Sequence, residues 1–158
     1  MSLQKTNAMR ILDQAHIPYE VIEIDASQAL SGKEAAHLLH ASEDEVFKTL
    51  VTRGKSGQYY VFMVPVSSTL SVKKAAKVCG EKSIEMIAQK ELFPLTGYIH
   101  GGCSPLGMKK QFLTYIDETA QLFEKIFCSA GKIGLHLCID PNALTDVLPL
   151  EFADICEG

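Results

Sequence analysis

Tyr98-Ile99-His100-Gly101-Gly102-Cys103-Ser104-Pro105-Leu106-Gly107-Met108-Lys109-Lys110 is the stretch on which the reading of this chain turns. It reads as a short apolar strand running into a loop with three glycines and a proline, followed by two lysines. Gly101 and Gly102 allow backbone angles and close ligand approach that larger residues resist, and Pro105 fixes one turn. The same composition also makes a plain surface turn before a strand, its commoner use. The rest of the chain has to decide between a turn and a site.

Upstream, Val46-Phe47-Lys48-Thr49-Leu50-Val51-Thr52 reads as a strand, Gly54-Lys55-Ser56-Gly57 as a turn, and Gln58-Tyr59-Tyr60-Val61-Phe62-Met63-Val64-Pro65-Val66 as the returning strand of a hairpin. Before this hairpin, apolar residues at Ala8, Ile11, Leu12 and Ala15 have helical spacing. Residues 19–25 are rich in β-branched side chains and favour a strand. Ser31-Gly32-Lys33-Glu34 is a capping box opening a second helix, and Ser42-Glu43-Asp44-Glu45 repeats the box for a single turn. After the hairpin, residues 71–79 form a helix ended by Gly80. Residues 85–87 read as a short strand, and residues 88–92 as a short helix stopped by Pro94. Beyond the glycine loop, residues 114–117, 123–128 and 134–139 are strand-like. Asp140-Pro141 starts a last helix, and residues 152–155 add an edge strand. Strands and helices do not alternate regularly, so the expected fold is a single mixed α/β (α+β) domain rather than a doubly wound parallel one.

The chain has 158 residues, 47% of them hydrophobic and 22% charged, with mean hydropathy +0.09. That is one ordinary globular domain with a real core. The domain is taken as residues 4–156, with residues 1–3 and 157–158 read as cloning remnants. Apolar runs are only strand-sized and the N-terminus carries no signal-peptide pattern, so no membrane is implied and the expected compartment is cytoplasmic. Five scattered cysteines without metal-ligand spacing read as reduced thiols, with no metal and no cofactor. A net charge of -4 gives no global attraction to nucleic acid, so any such contact is local.

Lys48 shares a strand face with Val46 and Leu50 by alternation. It either snorkels at an edge or lines a pocket that meets an anionic or carbonyl-bearing ligand. Ser129, in Cys128-Ser129-Ala130-Gly131-Lys132, sits at a strand end, either as a substrate-holding hydroxyl or as a turn former bonding its own backbone. Cys103 and Ser104 are weak nucleophile candidates: the sequence around them fails the nucleophile-elbow pattern, and no orienting carboxylate accompanies His100. His16, His37 and His40 read as surface residues. No phosphate loop, dinucleotide fingerprint or zinc-protease motif is present.

Together, Val46-Phe47-Lys48-Thr49-Leu50, Leu70-Ser71-Val72-Lys73-Lys74-Ala75-Ala76-Lys77, Thr96-Gly97-Tyr98 with the loop to Lys110, and Ser129-Ala130-Gly131-Lys132 resemble the YbaK/EbsC family of the prolyl-tRNA synthetase editing-domain superfamily. The resemblance spans nearly the whole chain. It implies a largely antiparallel, curved or barrel-like sheet flanked by helices, and hydrolysis of wrongly charged aminoacyl-tRNA, most similar to Cys-tRNA(Pro) deacylase. It makes Lys48 the essential lysine, the segment Gly101, Gly102, Cys103, Ser104, Pro105 the G-x-x-x-P substrate loop, and Ser129 a pocket serine. Two substrate-pocket positions depart from the family pattern: Ile24 precedes Asp25 where a tyrosine is frequent, and His136 stands where an acid is common. Lys73, Lys74, Lys77, Lys109, Lys110 and Lys132 make either a local patch that contacts tRNA phosphates or, for the first three equally, a plain solvated helix face, with prolyl-tRNA synthetase as a partner that supplies tRNA identity. An aminoacyl ester is already activated, so the site has mainly to hold the 3′ end and stabilise an oxyanion; a cysteinyl substrate brings its own thiol. Deacylation of another mischarged tRNA such as Ala-tRNA(Pro), or a non-catalytic tRNA-end binding module, is the alternative.

Overall fold

The computed structural model describes residues 5–25 and 30–158. Helix α1 (Asn7–Gln14) is capped by Thr6, whose hydroxyl accepts the Met9 N–H, and it buries Ala8, Met9 and Leu12. Strand β1 (Glu20–Glu23) leads to α2 (Gly32–Leu39), where both halves of the capping box form: Ser31 Oγ accepts from Glu34 N–H at 3.1 Å and Glu34 Oε1 from Ser31 N–H at 3.0 Å. After the Ser42–Glu45 turn come β2 (Phe47–Gly54) and β3 (Tyr59–Pro65), paired antiparallel. Helix α3 (Val72–Cys79) runs from an N-cap at Ser71 to a left-handed Gly80. Then follow β4 (Ile84–Met86), α4 (Gln89–Thr96), β5 (Thr114–Asp117), a 3-10 helix (Glu118–Leu122), β6 (Ile126–Lys132), β7 (Leu135–Ile139), a second 3-10 helix (Pro141–Asp146) and β8 (Leu150–Ala153).

The strands form a five-stranded sheet in the order β4-β2-β3-β5-β8 and a three-stranded sheet in the order β1-β7-β6. Among the described strand pairs only β3–β5 and β5–β8 are parallel, so the structure is mixed and largely antiparallel, as expected. An isolated bridge between Val46 and Phe127 ties the two sheets together. Strand β3 is buried on both faces, which accounts for its unbroken apolar run. Met63 joins Phe47, Ile116, Leu137 and Ile139 and the buried side of α1 in the core between the sheets. Tyr60, Phe62 and Val64 pack instead with Ala75 and Ala76 of α3. No helix among the described residues is long and apolar enough to cross a membrane.

Four local expectations are corrected. Pro94 lies inside α4, which continues to Thr96; the proline only removes a donor to the carbonyl of solvent-exposed Lys90, and Gly97 N–H closes the helix on Phe93 O at 2.8 Å. Tyr98 and Ile99 are irregular, not a strand. Strand β6 begins at Ile126 and runs through Ser129 to Lys132, with a register irregularity between those two, so the turn lies beyond Lys132. The segment opened by Pro141 is a 3-10 helix.

Candidate active site

Strand β2 has a partner on both edges only in its second half. β4 pairs with Thr52, Arg53 and Gly54, and Ile87 N–H reaches Val51 O at 3.3 Å. Toward its start, β2 meets β6 at the Val46–Phe127 bridge, with Phe127 N–H donating to Glu45 O at 2.9 Å. Between these attachments the strand edge borders a cavity of about 250 Å³. Bonds from Val66 N–H to Val46 O and from Gly54 N–H to Gln58 O fix which residue pairs of the β2–β3 ladder exchange hydrogen bonds. Antiparallel alternation then points the N–H and C=O of Thr49 away from β3, toward the cavity edge.

Lys48, Thr49 and Leu50 of β2 line this cavity together with Ser31, Gly32 and Ala35 of the α2 start, His100, Gly101 and Cys103 of the glycine loop, Ser129 of β6 and His136 of β7. Thus Lys48, Gly101, Cys103, Ser129 and His136, far apart in sequence, border one space. Ser129 and His136 are direct cross-strand partners. No carboxylate lies within ion-pair distance of Lys48 among the described residues. Thr49 Oγ1 and His136 Nδ1 are buried without a hydrogen-bond partner among the described residues. Burial lowers the pKa of His136, keeping its imidazole neutral.

The loop is held from behind. Tyr98 is buried and its hydroxyl donates to Leu106 O at 2.6 Å, drawing the loop closed. Its ring lies against Gly131, where φ is +104° and a Cβ would stand 2.9 Å from the Tyr98 ring. At Gly102 a Cβ would come within 3.0 Å of Ile133 N and 3.1 Å of Lys132 C, so glycine here lets the loop lie directly on the β6–β7 turn. The Gly102 N–H is spent on Ile99 O at 3.0 Å. That amide is therefore not free to donate to a ligand. The backbone N–H groups of Gly101 and Cys103 take no backbone partner among the described bonds.

Other expected site residues stand back from the cavity. Ser104 is fully buried and its Oγ accepts from Leu106 N–H at 3.2 Å; Pro105 is buried beside it. Ile24 packs with Ala35, Val46 and Val66, which themselves border the cavity. Cys103 does border it, but desolvation pushes its thiol up to about 12, so it carries no thiolate at neutral pH. Ser129 combines both roles considered for it: its Oγ accepts from Gly131 N–H at 3.1 Å while the residue lines the cavity. His16, His37 and His40 are exposed.

Lys73 and Lys77 border a separate groove with Lys82, and Lys74 is held by Asp154 at 3.1 Å and by Cys156 O at 2.9 Å. Lys109 lies over the exposed Phe93 ring at 5.3 Å, while Lys110 is exposed just after the loop. Lys132 is exposed at the end of β6, against which Gly102 packs. Sequence reasoning missed Thr49, because alternation places it on the core face with Phe47 and Val51, and it missed Tyr98 as the staple of the loop. No cluster of three potential metal ligands exists among the described residues.

Comparison with known proteins bears on this geometry. The family model of the aminoacyl-tRNA editing domain matches residues 26–147. A protein of Enterococcus faecalis (strain ATCC 700802 / V583), provisionally named Cys-tRNA(Pro)/Cys-tRNA(Cys) deacylase EbsC, is 44% identical over 153 residues, 96% of this chain and 93% of that one. The crystal structure of a protein provisionally described as a trans-editing enzyme for prolyl-tRNA synthetase superposes with TM-score 0.84 at 28% identity, covering 99% of this chain and 100% of the other. A hypothetical protein of known structure shares the fold with TM-score 0.87 at 22% identity, over 96% and 100% of the two chains.

Proposed function

This chain belongs to the aminoacyl-tRNA editing-domain family, and we propose that it is an aminoacyl-tRNA deacylase that removes cysteine from Cys-tRNA(Pro) in trans without a nucleophile of its own. The observation that carries this reading is the cavity. It sets a cation with no ion-pair partner among the described residues, Lys48, beside an exposed strand edge and a glycine loop, and the hydroxyl and thiol nearest the loop's centre are disabled. Ser104 is turned into the loop and Cys103 is held as a thiol.

The substrate's 3′-terminal ester would lie with its carbonyl near Lys48 and the amides of Thr49, Gly101 and Cys103. Fixed donors of this kind stabilise the charge that builds on the carbonyl oxygen. With a cysteinyl ester, the substrate Sγ attacks its own carbonyl carbon. A C–S bond forms, the bond to the ribose oxygen breaks, and that oxygen takes up the thiol proton; water then opens the four-membered thiolactone to free cysteine. Ser129 and the apolar wall of Val46, Val66 and Leu92 bound the side-chain space. Lys109, Lys110 and Lys132, around the loop, would contact backbone phosphates near the 3′ end, and Lys73, Lys74 and Lys77 lie further off. Such contacts position tRNA without reading its sequence, which leaves tRNA identity to a partner such as prolyl-tRNA synthetase.

The test is a matched pair of substrates, the same tRNA(Pro) charged with cysteine or with serine. The reading expects the cysteinyl ester to be cleaved faster by at least about a hundredfold, the scale of an activated internal nucleophile. Equal rates would refute the substrate-thiol mechanism, and cleavage only of Ala-tRNA(Pro) would reassign the substrate.

A further inference from the structure

The cavity is one-sided in charge. Its lining holds the cation of Lys48 and the imidazoles of His100 and His136, and it contains no aspartate or glutamate. Residues 26–29, outside the described structure, are Ala, Ser, Gln and Ala, and add no acid by sequence. The start of α2 borders the same space, and a helix N-terminus carries positive partial charge. Glu34, the acid in the first turn of α2, is committed to the Ser31 N–H at 3.0 Å.

His136 lines this cavity from β7. It lies between Ser129 of β6 and Ile22 of β1 in the sheet register. The titratable groups facing it across the cavity are Lys48 from β2 and His100 and Cys103 from the loop. On its own sheet face they are Cys138, two residues along β7, and Glu20 of β1, which pairs with Cys138 in register and with Lys125 at 3.5 Å; Glu45 also lies near enough to act on Cys138. Cys103 is held as a neutral thiol, and burial also raises the Cys138 thiol. Burial favours the neutral form of His136, and its Nδ1 has no partner among the described residues. An α-ammonium group entering this space would lose hydration, face Lys48 and find no counter-charge, the costliest way to bury a cation.

We infer that this cavity selects aminoacyl groups whose α-nitrogen is uncharged, namely the free-amine form and N-acylated aminoacyl esters, and that His136 sets this preference. The inference rests on the cavity being the aminoacyl site and adds a substrate class to it. Hydrolysis of an N-acylaminoacyl ester balances with water alone: hydroxyl goes to the carbonyl carbon and a proton to the ribose oxygen. An aspartate at position 136 would supply the missing counter-charge, whereas a glutamine would keep the site neutral.

The experiment uses two non-hydrolysable probes without a thiol, adenosine carrying a 3′-serylamide and the same compound N-acetylated, titrated against the full chain at about pH 6 and about pH 9, on either side of an α-amino pKa near ~8. For the wild type, affinity for the free-amine probe should rise at least about tenfold between the two pH values while that for the acetylated probe stays level. At the lower pH the acetylated probe should bind more tightly. His136→Asp should reverse that order at the lower pH, and His136→Gln should preserve it, which separates charge from general damage to the pocket. Wild-type preference for the ammonium form, an unchanged order in a folded His136→Asp protein, or failure to bind either probe would each overturn the inference. Cys-tRNA(Pro) left intact by a protein showing the expected binding pattern would instead sink the hydrolase reading and leave this one standing.

Discussion

Asp117 and the Lys48 cavity lie two strands apart in the same five-stranded sheet, and they use polar atoms in opposite ways. Asp117 is 2% exposed, yet both carboxylate oxygens are employed: Oδ2 accepts from the N–H and hydroxyl of Thr119 at 3.2 and 2.6 Å, and Oδ1 from Ile155 N–H at 3.2 Å. Burial alone would raise this carboxyl, but the hydrogen bonds outweigh it and hold the pKa below the ordinary value. At the cavity, by contrast, among the described residues Thr49 Oγ1 and His136 Nδ1 are left without partners and Lys48 has no carboxylate beside it. A buried polar atom that only builds the fold is satisfied by the fold. Polar groups left open around a concave space are available to something that is not part of the chain.

The contrast can be broken most forcefully at Asp117. Replacing it by alanine strands the donors of Thr119 and Ile155 and should cost about 3 kcal/mol by denaturant unfolding, while the folded fraction keeps its deacylase activity. The sign of its pH dependence is fixed by the lowered pKa. The carboxylate's contribution is complete above the unfolded value of about 3.9 and is lost as pH falls through the folded one. The acid limb of a stability-against-pH curve should therefore be shallower in Asp117→Ala, and an unchanged limb would show that Asp117 is not a stabilising node.

A second, smaller effect is expected at Tyr98→Phe. It removes the hydroxyl that holds Leu106 O and should cost about 1 kcal/mol in unfolding. Because the loop borders the site, kcat/KM should fall as well, and a stability loss with unchanged kcat/KM would detach the loop from the chemistry. The smallest stability effect, opposite in sign, is expected at Thr49→Val. Deleting a buried hydroxyl that has no partner should leave stability unchanged or raise it by up to about 1 kcal/mol, while activity declines. A clear stability loss at Thr49 would mean that its hydroxyl serves the fold after all.

Much of the fold was legible because its signals are local. The box of Ser31 and Glu34, the Gly80 cap and the hairpin turn at residues 54–57 each act within a few residues. Pro94 misled because a proline's cost depends on which carbonyl loses its donor, and here that carbonyl belongs to an exposed residue. The parallel placement of β5 between β3 and β8 had no local signature at all. Within the site, Lys48 stood out as a charge in an apolar strand. Thr49 did not, because an unpartnered hydroxyl can be recognised only once its surroundings are known. Gly102 was legible as a special position, but its reason was not: it yields to the β6–β7 turn, a long-range contact, and its amide closes its own loop.

The central claim is that the open polar groups around the cavity perform deacylation and contribute little to folding. The direct measurement is the hydrolysis rate of Cys-tRNA(Pro) by wild type and Lys48→Ala, with the thermal unfolding midpoint of each protein. A rate loss of at least about a hundredfold is expected, with a midpoint shift of no more than about 2 °C. A Lys48→Ala protein that deacylates at the wild-type rate would contradict it.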